Sequence, residues 1–417
     1  MRRDISASRW HHGNGVCLFR PRRAGVFFLL MDSTVLWYTF GLMNYRILGN
    51  TGLRVSRLGF GAMRLPMTGE GGDARVNREL AIPLLRRAVG LGVTYFDTAV
   101  GYCNQDSQCA LGEALGGGLR EKVVLSTKNP CHGTDEKEWW THLENSLERL
   151  RTTWIDVYNH HGVNAKGFRE TTLPVQSKWM EKARDQKLIR HVCVSFHDNA
   201  DGLREIIQSG YAEVVTLQYN LFDRQLEDVI AEARGRGVGI VVMGPVAGGR
   251  LGDASRTLEA MVPGIRRVPE LALRFVLANP GVDVALSGME NLAQLEENAA
   301  TCSDAAALSG EHRALIDGHM ARLKDLARLY CTGCGYCVPC PRDVAIPKIF
   351  EAYNRGRVYG LWAGAKKAYR DIGAHDWNKG AKADACAGCG QCEGKCPQKI
   401  PVMARLREAG DALGDGA

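Results

Sequence analysis

Between Met43 and about residue 305 the chain repeats one pattern eight times: a short β-rich apolar run, then apolar residues at helical spacing. The runs end in Gly61, Asp97, Lys128, His161, Ser195, Gln218, Gly244 and Gly288. Helical patterns occupy 79–91, 107–116, 135–150, 173–187, 198–209, 225–236 and 269–279, with 290–302 after the last. Helix starts are marked by Asp135 before Glu136 and Glu138, and by Asn291 before Leu292 and Leu295. Eight strand–helix units fit a closed (β/α)8 TIM barrel, an α/β fold, better than an open sheet. No Gly-x-Gly-x-x-Gly opens the first helix, which argues against an open dinucleotide-binding sheet. Arg46–Leu48 and Leu53–Ser56, separated by Gly49-Asn50-Thr51-Gly52, predict a short N-terminal hairpin.

In such a barrel the loops after the strands form the active face, so polar residues at strand ends are the candidates for chemistry. Asp97, Tyr102, Lys128 and His161 make a coherent set. Reducing a carbonyl by hydride needs an acid for the developing alkoxide. Tyrosine, with an ordinary pKa near 10, serves only where a cation lowers that value. Lys128 supplies the cation, Asp97 keeps it charged and fixed, and His161 orients the substrate oxygen.

These residues lie in Phe96-Asp97-Thr98-Ala99-x-x-Tyr102, Ser126-Thr127-Lys128 and Ile155-Asp156-x-Tyr158-x-x-His161. With Arg46-x-Leu48-Gly49-x-Thr51-Gly52-Leu53-x-Val55-Ser56 and Gly59-Phe60-Gly61, the sequence over residues 43–305 resembles the aldo/keto reductase family. The resemblance implies Tyr102 as general acid/base, Lys128 and Asp97 as its pKa-lowering pair, and His161 as the carbonyl-orienting residue. The Tyr-x-x-His spacing selects His161 over His160, and alternation sends His160 to the other side of the strand. It also implies a nicotinamide cofactor, NAD(P)H. Ser195 and Gln218 match positions that hold the carboxamide. Gly248, Gly249 and Arg250 match the loop around the pyrophosphate, and Glu297 and Asn298 the adenine-side pair. Two departures stand out. The stacking aromatic position falls at Met243, and the basic positions for a 2′-phosphate fall at Gly288 and Gln294. NADPH preference is therefore not supported, and NADH or dual use is expected.

A different chemistry occupies residues 331–397. Cys331-x2-Cys334-x2-Cys337-x2-Cys340-Pro341 is followed by Cys386-x2-Cys389-x2-Cys392-x3-Cys396-Pro397. Three cysteines at two-residue gaps wrap three corners of a cube, and in two-cluster ferredoxins the Cys before Pro ligates the other cluster. Cys331, Cys334, Cys337 and Cys396 are thus expected at one [4Fe–4S] centre, and Cys386, Cys389, Cys392 and Cys340 at the other. The last gap of the first run is one residue shorter than in that pattern. Zinc is the competing ligand, but its sites more often pair two separated Cys-x2-Cys units. Apolar residues at helical spacing between the runs (Ile346, Ile349, Phe350, Tyr353, then Leu361, Trp362, Ala365, Tyr369) predict a small, mainly helical module. The tail after Pro401 reads as short and polar.

Three segments follow: 1–42, a disordered extension or an over-long start; 43–328, the barrel; and 329–417, the two-cluster module. Residues 20–30 join a basic flank to an apolar run, but Asp32, Ser33 and Thr34 interrupt it and no small-residue cleavage site follows. Elsewhere no stretch is apolar enough to span a bilayer, so membrane association is not expected. Six arginines against Asp4 and Asp32 place +4 of the formal +7 in residues 1–42. Two anionic clusters bring the remainder near neutrality, which leaves no electrostatic case for nucleic acid. The other six of the 14 cysteines, Cys103 and Cys131 among them, show no framework spacing and read as ordinary thiols of a reducing, cytoplasmic setting. The expected partners are a small carbonyl or alcohol substrate and a redox protein. The expected function is hydride transfer by the barrel, with the clusters for electron transfer or structure. The competing reading is an electron-transfer or redox-sensing protein whose barrel binds nucleotide with little turnover.

Overall fold

The computed structural model describes residues 43–304, 308–328, 331, 335–375, 378–397 and 399–414. The expectations for residues 1–42 and for Cys334 lie outside the described residues. Eight parallel strands form the barrel: β1 (Leu58–Gly61), β2 (Tyr95–Asp97), β3 (Val124–Asn129), β4 (Ile155–Val163), β5 (Ile189–Phe196), β6 (Val214–Gln218), β7 (Gly239–Met243) and β8 (Val284–Ser287). They close in the order β6-β7-β8-β1-β2-β3-β4-β5, each paired with its sequence neighbours. Outside run α1 (Arg78–Gly90), α2 (Ser107–Ala114), α3 (Glu136–Arg149), α4 (Ser177–Asp185), α5 (Ala200–Gln208), α6 (Glu227–Gly235), α7 (Val268–Ala278) and α8 (Leu292–Ser303). Asp135 caps α3 by accepting from the N–H groups of Lys137 and Glu138, and Asn291 caps α8 by accepting from Gln294.

The alternation of strand side chains layers the barrel interior. Tyr45–Ile47 and Arg54–Ser56 pair as the antiparallel hairpin, and Leu48 and Val55 pack on Tyr95, Val124, Val157, Val214, Val241 and Val284. That apolar layer stops the N-terminal end of the barrel. Above it Asn159 Nδ2 donates to Ser126 Oγ (3.0 Å), and Thr216 Oγ1 donates to Asn159 Oδ1 (3.3 Å). The polar strand ends form the next layer, at the mouth.

Two segments depart from expectation. The helix expected over 173–187 begins earlier: Ala165–Gly167 leads into a π-helical run, Phe168–Gln176, continuous with α4. The tail after Pro401 is not short and polar. It forms a helix, Val402–Leu413, that buries Val402, Leu406, Ala409 and Leu413 along one face.

After the barrel come α9 (Gly310–Arg328), α10 (Ile346–Tyr359), α11 (Trp362–Arg370), α12 (Gln391–Lys395) and α13 (Val402–Leu413). Helices α10, α11 and α13 enclose a second apolar core around Ile349, Phe350, Ala365 and Leu406. Val358 and Leu361 instead belong to the barrel's own core. Tyr359 packs on Phe222, ring centroids 5.0 Å apart, and Ser255 Oγ donates to the Tyr359 carbonyl at 2.5 Å. No helix among the described residues is long and apolar enough to cross a membrane.

Candidate functional site

Asp97 ends β2, and Lys128 lies two residues beyond its partner Ser126 on β3. Lys128 Nζ pairs with Asp97 Oδ1 and donates to the Thr98 carbonyl at 2.8 Å, while Ser126 Oγ donates to Asp97 Oδ2 at 2.8 Å. Both charged groups are buried, Lys128 at 2% exposure. Burial opposes the ammonium, but Asp97 and then Tyr102 outweigh it and hold Lys128 above the ordinary lysine value.

Tyr102 opens a short turn after β2 and remains half-buried. Its ring centroid is 4.7 Å from Lys128 Nζ, and its ring stands edge-on to His161, centroids 6.2 Å apart. The next three residues, Cys103, Asn104 and Gln105, all take left-handed φ (51°, 52° and 67°). None is glycine, so each costs on the order of 1–2 kcal/mol. Asn104 holds the turn in place, donating from Nδ2 to the carbonyls of Gly71 (2.9 Å) and Ala74 (3.2 Å). Burial pushes the Cys103 thiol up, and likewise Cys131, so neither is poised as a thiolate.

His161 sits where β4 loses register with β5, in a bulge between His160 and Val163. Burial first, then the charge of Lys128 and the neighbouring His197 and His132, lower its pKa to about 4. It is therefore neutral near pH 7. His160 lies on the other side of the strand, bonded through Nδ1 to Gln176 Oε1 (3.0 Å) and through Nε2 to Tyr211 Oη (2.8 Å).

The residues expected to hold the cofactor follow the ends of strands β5 to β8. Thr216 on β6 pairs with Ser195 on β5, and Gln218 at the end of β6 pairs with Met243 at the end of β7. Ser195 Oγ is buried with no hydrogen-bond partner, an orphan that a carboxamide would satisfy. After β7 the backbone at Ala247, Gly248 and Gly249 turns left-handed (φ 52°, 66° and 90°), and Arg250 Nε donates to the Ala247 carbonyl at 2.9 Å. Glu297 pairs with Arg267, and Asn298 Nδ2 donates to Ser287 Oγ at 3.1 Å. Arg64, which sequence reasoning missed, crosses from the loop after β1 and donates from Nη2 to the Gly248 carbonyl at 3.2 Å. Its stem lies over Gly288, where a Cβ would meet Arg64 Cδ at 3.4 Å. The orphan hydroxyl and the left-handed loop fit a nicotinamide dinucleotide.

In the C-terminal module Cys340, Cys386, Cys389 and Cys392 line one cavity together with Cys337. Cys389 is exposed and the other four are partly buried. Gly388 and Gly390 take φ of 70° and 72°, the turns that bring Cys386, Cys389 and Cys392 around it. Cys331 and Cys396 pack against the same module core, and the Cys331 carbonyl accepts from Asn354 Nδ2 at 3.2 Å. Among the described residues no three Cys, His, Asp or Glu side chains close on a single-ion site. A cavity ringed by thiols from both runs fits a cluster shared between them.

Residues 57–321 match the family model described as the aldo/keto reductase family, and residues 330–400 match that of a 4Fe-4S dicluster domain. Over 291 residues the chain is 25% identical to an uncharacterised oxidoreductase, YqkF, of Bacillus subtilis, covering 61% of this chain and 90% of that one. It is 26% identical to L-galactose dehydrogenase of Arabidopsis thaliana over 303 residues, covering 65% and 92%. The holo form of an aldo-keto reductase of Bacillus halodurans, AKR11C1, superposes with a TM-score of 0.57 at 27% identity, covering 66% of this chain and 96% of that one.

Proposed function

The chain belongs to the aldo/keto reductase family and carries a 4Fe–4S dicluster domain; from that premise we propose that it transfers hydride between NAD(P)H and a small carbonyl or alcohol substrate. The observation that carries this reading is the meeting of Asp97, Lys128, Tyr102 and His161 at the barrel mouth. A bound nicotinamide supplies or accepts the hydride. Tyr102 Oη gives its proton to the oxygen on which negative charge develops, and the Lys128 ammonium stabilises the phenolate left behind. Asp97 keeps that ammonium charged and fixed. Neutral His161 donates a ring N–H to the substrate oxygen and so holds the carbonyl carbon at the cofactor face.

Ser195 and Gln218 hold the carboxamide, Met243 offers the ring a soft apolar face, Gly248, Gly249 and Arg250 hold the pyrophosphate, and Glu297 and Asn298 the adenine side. In the module Cys331, Cys334, Cys337 and Cys396 hold one [4Fe–4S] centre, and Cys386, Cys389, Cys392 and Cys340 the other. These centres supply one-electron chemistry or hold the module's fold.

The test uses anaerobically purified protein, a panel of aldehydes and ketones, and both reduced nucleotides. Tyr102→Phe is expected to lose about 100-fold or more in kcat while still binding nucleotide. Turnover undiminished by that change rejects hydride transfer through this site. Nucleotide binding without turnover in the unaltered protein favours the electron-transfer or sensing reading instead.

A further inference from the structure

The cavity that Cys340, Cys386, Cys389 and Cys392 line reaches the surface at Cys389, so a centre held there has one ligand at solvent. The charged side chains lining that cavity are Arg342 and Lys395, both exposed. Neither side chain pairs with another described residue. Lys399 is also exposed, and its backbone N–H donates to the Cys396 carbonyl at 3.1 Å. Tyr336 and Val338, on either side of the cavity-lining Cys337, are 65% and 44% exposed. Asp343 and Asp384 are exposed in the same module but do not line the cavity.

Large exposed apolar side chains cost solvation unless something covers them, and aromatic and Arg residues are enriched where partners dock. Cations left without partners around them set the sign of what docks. They attract carboxylates and steer their approach from a distance.

We propose that this face docks a small acidic one-electron carrier protein, which exchanges electrons with the centre held by Cys340, Cys386, Cys389 and Cys392. The inference rests on the reading of that cavity as an iron–sulfur site. Carboxylates of the carrier meet Arg342, Lys395 and Lys399, while Tyr336 and Val338 form the dry part of the contact. One electron leaves the reduced carrier, which is oxidised, and enters the oxidised centre, which is reduced. No atom is transferred and no proton is needed. The exposed Cys389 places the edge of this centre next to the docked carrier. The rival explanation is that Arg342 and Lys395 only offset the negative charge of the cluster.

The probe is an acidic bacterial two-cluster ferredoxin, mixed anaerobically with the full-length protein. Affinity is read by calorimetry with both proteins oxidised. Electron transfer is read by stopped flow after stoichiometric reduction of the ferredoxin. Both are expected to weaken steeply with ionic strength. The double change Arg342→Glu and Lys395→Glu is expected to lower affinity and second-order rate about tenfold or more at low salt. The difference should shrink at high salt, with iron content unchanged. Lys178→Glu with Lys187→Glu, on the barrel flank, serves as the charge-matched control and should change neither. The proposal fails if affinity and rate are indifferent to salt, or if both double variants lose equally. It fails too if the module variant alters only the midpoint potential, the signature of charge compensation. Unaltered protein with no iron–sulfur absorbance after reconstitution defeats the cofactor reading itself, a result distinct from a carrier that does not bind.

Discussion

The ring of Tyr102 stands edge-on to that of His161, 6.2 Å between centroids and 81° between planes, which sets the groups proposed as acid and hydrogen-bond donor side by side. In the proposed mechanism His161, with its pKa lowered to about 4, donates as a neutral group. His161→Gln, which keeps an N–H, is expected to lose about tenfold in kcat/KM, and His161→Leu about 100-fold or more. The pH profile of kcat/KM should show no inflection near 6.5. An inflection there that disappears in His161→Gln would mean that a charged histidine does the work.

Lys128 and Asp97 are a buried pair, and removing one partner strands the other's charge. Lys128→Met and Asp97→Leu are each expected to destabilise the fold by about 3–5 kcal/mol, and the double variant by less than the two together. Urea denaturation of the four proteins measures this. Strict additivity would mean that the pair is not coupled.

His160 is buried, its pKa lowered to about 4 by burial against the weaker opposing effect of Gln176. The unfolded chain takes up a proton on this residue near pH 6.5, before the folded one does. Its contribution to stability is therefore complete above that pH and is lost as the pH falls towards 4. The slope is about 1.4 kcal/mol per pH unit. His160→Gln should flatten the decline in unfolding free energy between neutrality and acid. An equal slope in both proteins would place the acid sensitivity elsewhere.

The proposed crossed ligation of the clusters makes a prediction that separates the two cysteine runs. Cys340→Ser and Cys389→Ser should impair the same centre and leave about four irons per chain, while Cys396→Ser should impair the other. Electron paramagnetic resonance of the reduced variants distinguishes them. If Cys340→Ser and Cys331→Ser shared one altered signal, each run would hold its own cluster.

Much of the fold was legible because strand and helix periods differ and several strands carry a polar residue at or next to the mouth end. Asp97, Lys128, Ser195 and Gln218 stand at strand ends for that reason. What escaped depends on contacts between distant segments. Arg64 is one exposed arginine among many until the Gly248 carbonyl is placed before it. The bulge at His161 exists only relative to β5. The left-handed turn of Cys103, Asn104 and Gln105 contains no glycine to announce it and is held by carbonyls some 30 residues away. Helix α13 did carry a signal, Val402, Leu406, Ala409 and Leu413 at helical spacing, but Gly410 and the charges between them masked it.

Val358 and Leu361 lie inside the barrel's core although the C-terminal module supplies them. Burial of such side chains is worth roughly 1.5–3 kcal/mol each, and Ser255 on the barrel adds its bond to Tyr359. A barrel cut free after α9 would expose two empty sockets beside the loop that follows β7. Barrel and iron–sulfur domain thus meet in a shared wall. Neither half can be deleted, swapped or expressed alone without leaving the other unfinished.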